Sequence, residues 1–181
     1  MNDHIHILGA SGSGITSLGA ALARSFGHTH LDTDDYYWEP TEPLFQRKRE
    51  LPQRQRLLGA ALDAHSRWVL SESLCGWGDK FIPRFDVVVF LLIPAEIRLA
   101  RLTEREEGRY GREALAPRGA MHGAHEAFMK WAAAYDEGGE DVRSRRRHEM
   151  WMAGLTCPLH RLEGVLGLEE QLYRLGRIIR H

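Results

Sequence analysis

The stretch that decides the fold is His4-Ile5-His6-Ile7-Leu8-Gly9-Ala10-Ser11-Gly12-Ser13-Gly14-Ile15-Thr16-Ser17, which runs on into Leu18-Gly19-Ala20-Ala21-Leu22-Ala23-Arg24-Ser25. Its short apolar run predicts a strand, its three glycines a tight turn, and the apolar spacing Ile15, Leu18, Leu22, Phe26 a helix with one buried face. Glycine backbones allow successive N–H groups to converge, and the positive end of the following helix points at the same place. A concavity of that kind binds phosphate. An ordinary strand-to-helix turn has the same composition, so the surroundings must discriminate.

The spacing Gly9-x4-Gly14-x-Thr16 fits the phosphate loop GxxxxGK[S/T], in which the lysine reaches the β- and γ-phosphates and the hydroxyl holds Mg²⁺. Ile15 stands where that lysine belongs. Gly9, Ser11, Gly12, Ser13, Gly14, Ile15, Thr16 and Ser17 are therefore the candidate nucleotide contacts, with Thr16 also a candidate metal ligand. Losing the lysine removes a charge-assisted contact of about 1.5–3 kcal/mol, a roughly ten- to hundredfold weakening that a nearby arginine can offset.

Composition bounds the alternatives. The 181 residues suit a single domain over 1–181, a core with a small lid. Lys+Arg 24 against Asp+Glu 25 gives a net charge of -1, which argues against a nucleic-acid partner. Only Lys48, Lys80 and Lys130 are lysines, the other basic residues being arginines suited to bidentate phosphate recognition. Two isolated cysteines, no signal peptide and no long apolar span lead to the expectation of a cytoplasmic protein without a membrane partner, either a monomer or a homodimer.

Along the chain, His28–Leu31 reads as a second strand ending in the acids Asp32, Asp34 and Asp35, at the sheet edge where ligands sit in open α/β folds. Three carboxylates so close repel one another and suit a cation, Mg²⁺ or an arginine, or water, whereas Asp35 alone reads better as a helix N-terminal acid. Tyr36–Leu51 is aromatic and proline-bearing, and the whole of about 36–65, with a helix from Pro52 to Leu62, reads as a substrate flap. Arg67–Ser71 is a third strand, followed by a small-residue loop from Glu72 to Asp79. Asp86–Ile93 is a fully apolar strand of the kind covered on both faces. The helix Ala95–Glu107 carries Arg98, Arg101 and Arg105 as one cationic stripe, which a solvated mixed-charge face would also produce. The region of about 108–150 reads as an Arg-rich lid holding a loop, a helix near Met121–Tyr135 and a segment with Arg143, Arg145, Arg146 and Arg147. A last strand at Leu159–Leu162 and a helix at Leu168–Ile179 close the chain. His4 and His6 on one strand and His28 and His30 on the next invite a metal reading, but no carboxylate or cysteine completes a ligand set.

This order of elements resembles the adenylate kinase-like P-loop kinases, the group of shikimate, gluconate and nucleotide kinases. The segments HILGASGSG, LDTDDYYWEPTEP, WVLSESLCGWGD, FDVVVFLLIPAEIRLARL and EALAPRGAMH are similar to bacterial "AAA family ATPase" or adenylate kinase-like proteins whose P-loop lacks the lysine, over essentially the whole chain. The resemblance implies an α/β P-loop NTPase three-layer sandwich with a five-stranded parallel sheet in the order 2-3-1-4-5. It also implies ATP and Mg²⁺ as cofactors, with Thr16 and Asp32 at the metal. Asp34 would be the base or substrate anchor, and Arg101 and Arg105 would border the nucleotide. Arg143 and Arg146 are expected to act in catalysis from the lid. Three features depart from the family pattern: Ile15 for Lys, Ser71 where a third-strand acid is often found with Glu72 one place later, and missing shikimate-binding arginine and glycine patterns.

The expected function is transfer of the ATP γ-phosphate to an unidentified small-molecule or nucleotide acceptor. The alternative is a catalytically silent nucleotide or anion sensor, and a purely structural role ranks below both because the loop and the acids remain.

Overall fold

Five parallel strands form the centre of the computed structural model, which describes residues 2–180. They are β1 (His4–Gly9), β2 (Thr29–Asp32), β3 (Trp68–Ser71), β4 (Val87–Leu92) and β5 (Leu159–Glu163), in the order β2-β3-β1-β4-β5. This is the α/β architecture and strand order that the sequence resemblance implies. Side chains alternate across the sheet as the two-residue period requires. On one face Ile5, Ile7, Val87, Val89 and Leu91 pack with Ile15, Leu18 and Leu22 of α1 (Ile15–Phe26) and Leu175 and Ile179 of α8 (Leu168–Ile179). On the other, Leu8, Trp68, Leu70, Val88 and Phe90 pack with Leu58 and Leu62 of α3 (Leu51–Asp63) and Trp151 and Met152 of α7 (Arg145–Met152).

The helices begin and end for local reasons. Gly27, at φ 70°, stops α1, and Pro52 occupies the first turn of α3, where its missing N–H has no helical partner to lose. Ser144 caps α7 by accepting the Arg147 N–H at 3.0 Å. Short helices α2 (Asp34–Tyr37) and α5 (Arg112–Leu115), and a 3₁₀ turn at Asp79–Arg84, form in segments whose sequence shows no periodicity. The remaining helices are α4 (Ala95–Tyr110) and α6 (His122–Ala133). Gly19 brings α1 hard against the sheet: a Cβ there would lie 2.2 Å from Ser71 Oγ and 2.7 Å from His30 Nε2.

Two features of the sequence take a definite form in the structure. β3 lies between β1 and β2, so the strand histidines are not on neighbouring strands, and each meets its own partner. His4 bonds the Ser66 carbonyl, His6 that of Leu70, His28 that of Asn2, and His30 the Ser71 hydroxyl. Nor is the arginine stripe of α4 solvated throughout: Arg101 and Arg105 are exposed, but Arg98 is not. Arg98 is 1 % exposed, donates to the Ile93 carbonyl at 3.0 Å and pairs with Asp136 beyond α6, tying α4 to the chain between α6 and α7.

Candidate functional site

The register aligns Ile7 of β1 and Asp32 of β2 with the same residue of β3, Ser71, so three strand ends open on one edge of the sheet. The segments that follow them, 10–14, 33–38 and 72–78, therefore meet there. Gly12 and Gly14 hold φ values of 80° and 90°, which favour glycine. A Cβ on Gly9 would lie 2.7 Å from the Leu91 carbonyl oxygen, and one on Gly12 2.5 Å from that of Arg98, so the loop is pressed onto β4 and α4. Ser13 is buried and its N–H turns back to Ala10 O at 3.1 Å. The helix that starts at Ile15 has no side-chain cap and no acid in its first turn. Its leading amides, on Ile15, Thr16 and Ser17, lack intrahelical partners and carry the positive end of the dipole.

Ile15 itself does not reach toward this opening. It is 2 % exposed and sits among Ile5, Ile7, Leu18 and Leu22, so the position a phosphate-loop lysine would take is part of the core. Arg101 lies outside the loop, with Nη1 3.5 Å from Gly12 O and 3.4 Å from Ser13 O.

The acids gather opposite the loop. Thr16 Oγ1 donates to Asp32 Oδ2 at 3.1 Å, and Asp32 Oδ1 accepts the Asp34 N–H at 2.9 Å. Burial, and then the charge of Glu72, push the Asp32 carboxyl up to about 7. Burial and Glu72 likewise push Asp34 up to about 6, against the pull of Arg143. Glu72 was passed over as a site residue, yet it is held at φ 77°, a strained conformation for a residue with a side chain. Its N–H bonds Ile7 O at 3.1 Å while its carboxylate accepts from Arg143 Nη2 at 2.6 Å. The same Nη2 donates to Gly9 O at 2.9 Å, so one guanidinium joins the segment between α6 and α7, the third strand's end and the glycine loop. Burial opposes the charge on Arg143, and Glu72 with Asp34 more than restores it.

These groups border a cavity of about 760 Å³ lined by Ser11, Asp34, Arg105 and Arg143 from the anticipated site, joined by Glu72. Arg146 is not brought there: it is exposed and paired with Glu140 at 2.8 Å, and Arg147 lines the cavity instead. One residue, about 100° around the helix, separates the two outcomes, which a run of consecutive arginines conceals. Also unanticipated is a buried chain of polar groups behind the cavity wall. Tyr135 OH lies 2.7 Å from His148 Nδ1, and His148 Nε2 lies 3.1 Å from the hydroxyl of Ser73, itself a lining residue. Burial, then the Arg143 charge, hold His148 down at about 3, and burial raises the Tyr135 phenol, so the imidazole is neutral and the phenol keeps its proton. With Tyr135 donating to Nδ1, Nε2–H donates to Ser73, whose own proton is left for a ligand.

The strand order, the glycine loop at the end of β1 and the acids at the ends of β2 and β3 define the P-loop kinase fold. Among solved structures, shikimate kinase from Bacteroides thetaiotaomicron superposes with a TM-score of 0.59 at 18 % identity, covering 100 % of both chains. Shikimate kinase from Acinetobacter baumannii, solved with shikimate, gives 0.58 at 17 %, covering 98 % of this chain and 93 % of that one. A 41-residue stretch, 23 % of this chain and 24 % of the other, is 46 % identical to shikimate kinase 2 of Sodalis glossinidius (strain morsitans). No protein-family model matches. The "uncharacterized protein YqaC" of Bacillus subtilis (strain 168) is 49 % identical over 175 residues, 97 % of this chain and 96 % of that protein, and the chain belongs to the same family. No helix among the described residues is long and apolar enough to cross a membrane.

Proposed function

We propose that the protein binds ATP with Mg²⁺ at the 9–17 loop and transfers the terminal phosphoryl group to a small molecule held in the cavity. The observation that carries this reading is the Thr16–Asp32 hydrogen bond beside an uncapped helix start, with Asp34, Glu72 and Arg143 facing the same space. The residues fit a magnesium ion held partly by phosphate. Among the described residues no group of three His, Cys, Asp or Glu converges on a point, but Mg²⁺ in phosphate sites takes one or two protein ligands and fills the rest with phosphate and water. Two half-buried carboxyls pushed up to about 7 and about 6 are groups that a cation would stabilise in the charged form. When bound, the ion neutralises phosphate charge and orients the group being transferred.

The chain's own residues supply the remainder. The amides at 15–17 and Arg101 hold phosphate oxygens, offsetting the lysine that Ile15 replaces. Asp34 accepts the acceptor hydroxyl's proton as the new P–O bond forms and the bond to the ADP oxygen breaks; a group pushed up to about 6 is ionised and basic enough for that at neutral pH. Arg143, fixed by Glu72 and Gly9, meets the charge on the phosphoryl oxygens, where positioning and electrostatics provide most of the catalysis.

The second reading, a nucleotide sensor without turnover, rests on Ile15 carrying no ammonium where the motif has lysine. Following ADP release from MgATP over a panel of hydroxylated acceptors separates the two. Turnover that disappears in Asp34→Asn while ATP binding persists supports the kinase. Calorimetric ATP binding with no ADP release on any acceptor supports the sensor.

A further inference from the structure

The cavity wall holds more information about the acceptor than the phosphate side does. From the flap, Tyr37, Trp38 and Phe45 make a chain of rings with centroids 5.0 Å apart between Tyr37 and Trp38 and 5.9 Å between Trp38 and Phe45. From α6, Phe128 and Trp131 stack at 5.9 Å and 29°. Arg109 lies 5.4 Å from the Phe45 ring and Arg105 5.7 Å from Phe128, so α4 closes the gap between the two walls. Three of the chain's five tryptophans, Trp38, Trp77 and Trp131, line this one space. Phe45 and Trp131 each remain 39 % exposed, aromatic surface that folding has left out of the core. A contiguous aromatic lining of this kind marks a ligand site, and ring faces select flat partners by stacking.

Charge adds a second requirement. Arg105 and Arg109 share Glu106 at 4.0 and 3.6 Å. Lys48, whose ammonium lies 5.7 Å from the Trp38 ring, has no carboxylate at ion-pair distance among the described residues. Arg147 likewise meets only the Asp141 carbonyl, at 3.4 Å. Two cations outside any ion pair among the described residues, set beside the ring faces of that wall, call for an anionic group on the ligand.

We infer that the acceptor is a flat aromatic or heteroaromatic molecule carrying an anionic group, its ring between the flap and α6 and its anion against Lys48 and Arg147. This rests on the kinase reading for the word acceptor, but the ring-and-anion site stands by itself. The test is calorimetry, with tryptophan fluorescence alongside, on the intact protein both without nucleotide and with MgATP. The probes are adenosine 5′-monophosphate, 4-hydroxybenzoate, shikimate, gluconate and uncharged adenosine. The expected result is binding of at least one aromatic anion tenfold or more tighter than shikimate, gluconate and adenosine, with quenching. Trp131→Leu should weaken it at least fivefold, and Lys48→Ala or Arg147→Ala should weaken it while leaving the affinity for adenosine unchanged. The first two probes distinguish a nucleotide source of the anion from a carboxylate source. Equal affinity for shikimate or gluconate, or no aromatic binding at millimolar concentration in either state, overturns the inference. Aromatic binding without ADP release would leave it standing and defeat the kinase reading alone; ADP release on alicyclic acids only would do the reverse.

Discussion

Asp32→Asn should stabilise the nucleotide-free protein where Asp32 is charged and destabilise it where Asp32 is protonated. Burial and Glu72 raise this carboxyl from 3.8 to about 7, so folding makes ionisation harder. The folded state then binds more protons than the unfolded state between those values, and the contribution of Asp32 to stability falls as pH rises. At about 1.4 kcal/mol per pH unit, the full shift corresponds to roughly 4 kcal/mol above pH 7. Asparagine removes the charge and can still accept from Thr16 and from the Asp34 N–H, though not optimally from both, so a net gain of about 2 kcal/mol at pH 8 is expected. For a domain of this size that is a rise in Tm of about 4–8 °C. The assay is thermal or urea unfolding of both proteins from pH 4 to pH 8.5, read as the difference between them. The difference removes the opposing effect of His6 and His148, held down at about 4 and about 3, which lower stability as pH falls below the ordinary histidine range. The difference should move through about 4 kcal/mol in all, from a loss of about 2 kcal/mol at pH 4 to a gain of about 2 kcal/mol at pH 8. A gain that does not change with pH, or a loss at pH 8, would refute the electrostatic reasoning.

Other substitutions probe the remaining supports. Ile15→Lys should lower stability by about 2–4 kcal/mol in denaturant unfolding, because the position is in the core and not at the mouth of the loop. Arg143→Ala leaves Glu72 uncompensated beside Asp34; a double-mutant cycle with Glu72→Gln should return a coupling of about 1.5–3 kcal/mol, and a value near zero would remove the pair from the account. Gly12→Ala combines a positive φ with a Cβ 2.5 Å from Arg98 O, so it should abolish ATP binding in calorimetry and lower Tm; unchanged binding would show that the loop is not under the constraint described. Ser144→Ala should cost about 1 kcal/mol through the cap of α7, as read by urea unfolding.

The parts of this molecule visible in the sequence are those set by local pattern. The apolar run of β4, the glycine spacing at 9–14 and the Ile15-Leu18-Leu22 face each report a backbone requirement within one element, and each forms where expected. The parts that escaped depend on partners far along the chain. Arg98 is drawn into the interior by Asp136, 38 residues away, which turns an apparent cationic stripe into one buried ion pair and two outward arginines. The Tyr135–His148–Ser73 chain joins residues up to 75 positions apart, so no spacing rule announces it. Glu72 was legible only in part, since its role follows from a positive φ that swings its carboxylate onto Arg143. Ile15 shows the opposite case: its apolar helix spacing already placed it in the core, while its place in the phosphate-loop motif invited thoughts of a missing side chain at the ligand.

The most direct test of the central claim is an amide NMR titration with ATP, with and without Mg²⁺. The account predicts that the largest shifts fall on Gly12, Gly14, Ile15, Thr16 and Ser17, and that they saturate at far lower ATP when Mg²⁺ is present. Unmoved loop amides at millimolar MgATP, or shifts confined to another surface, would contradict it.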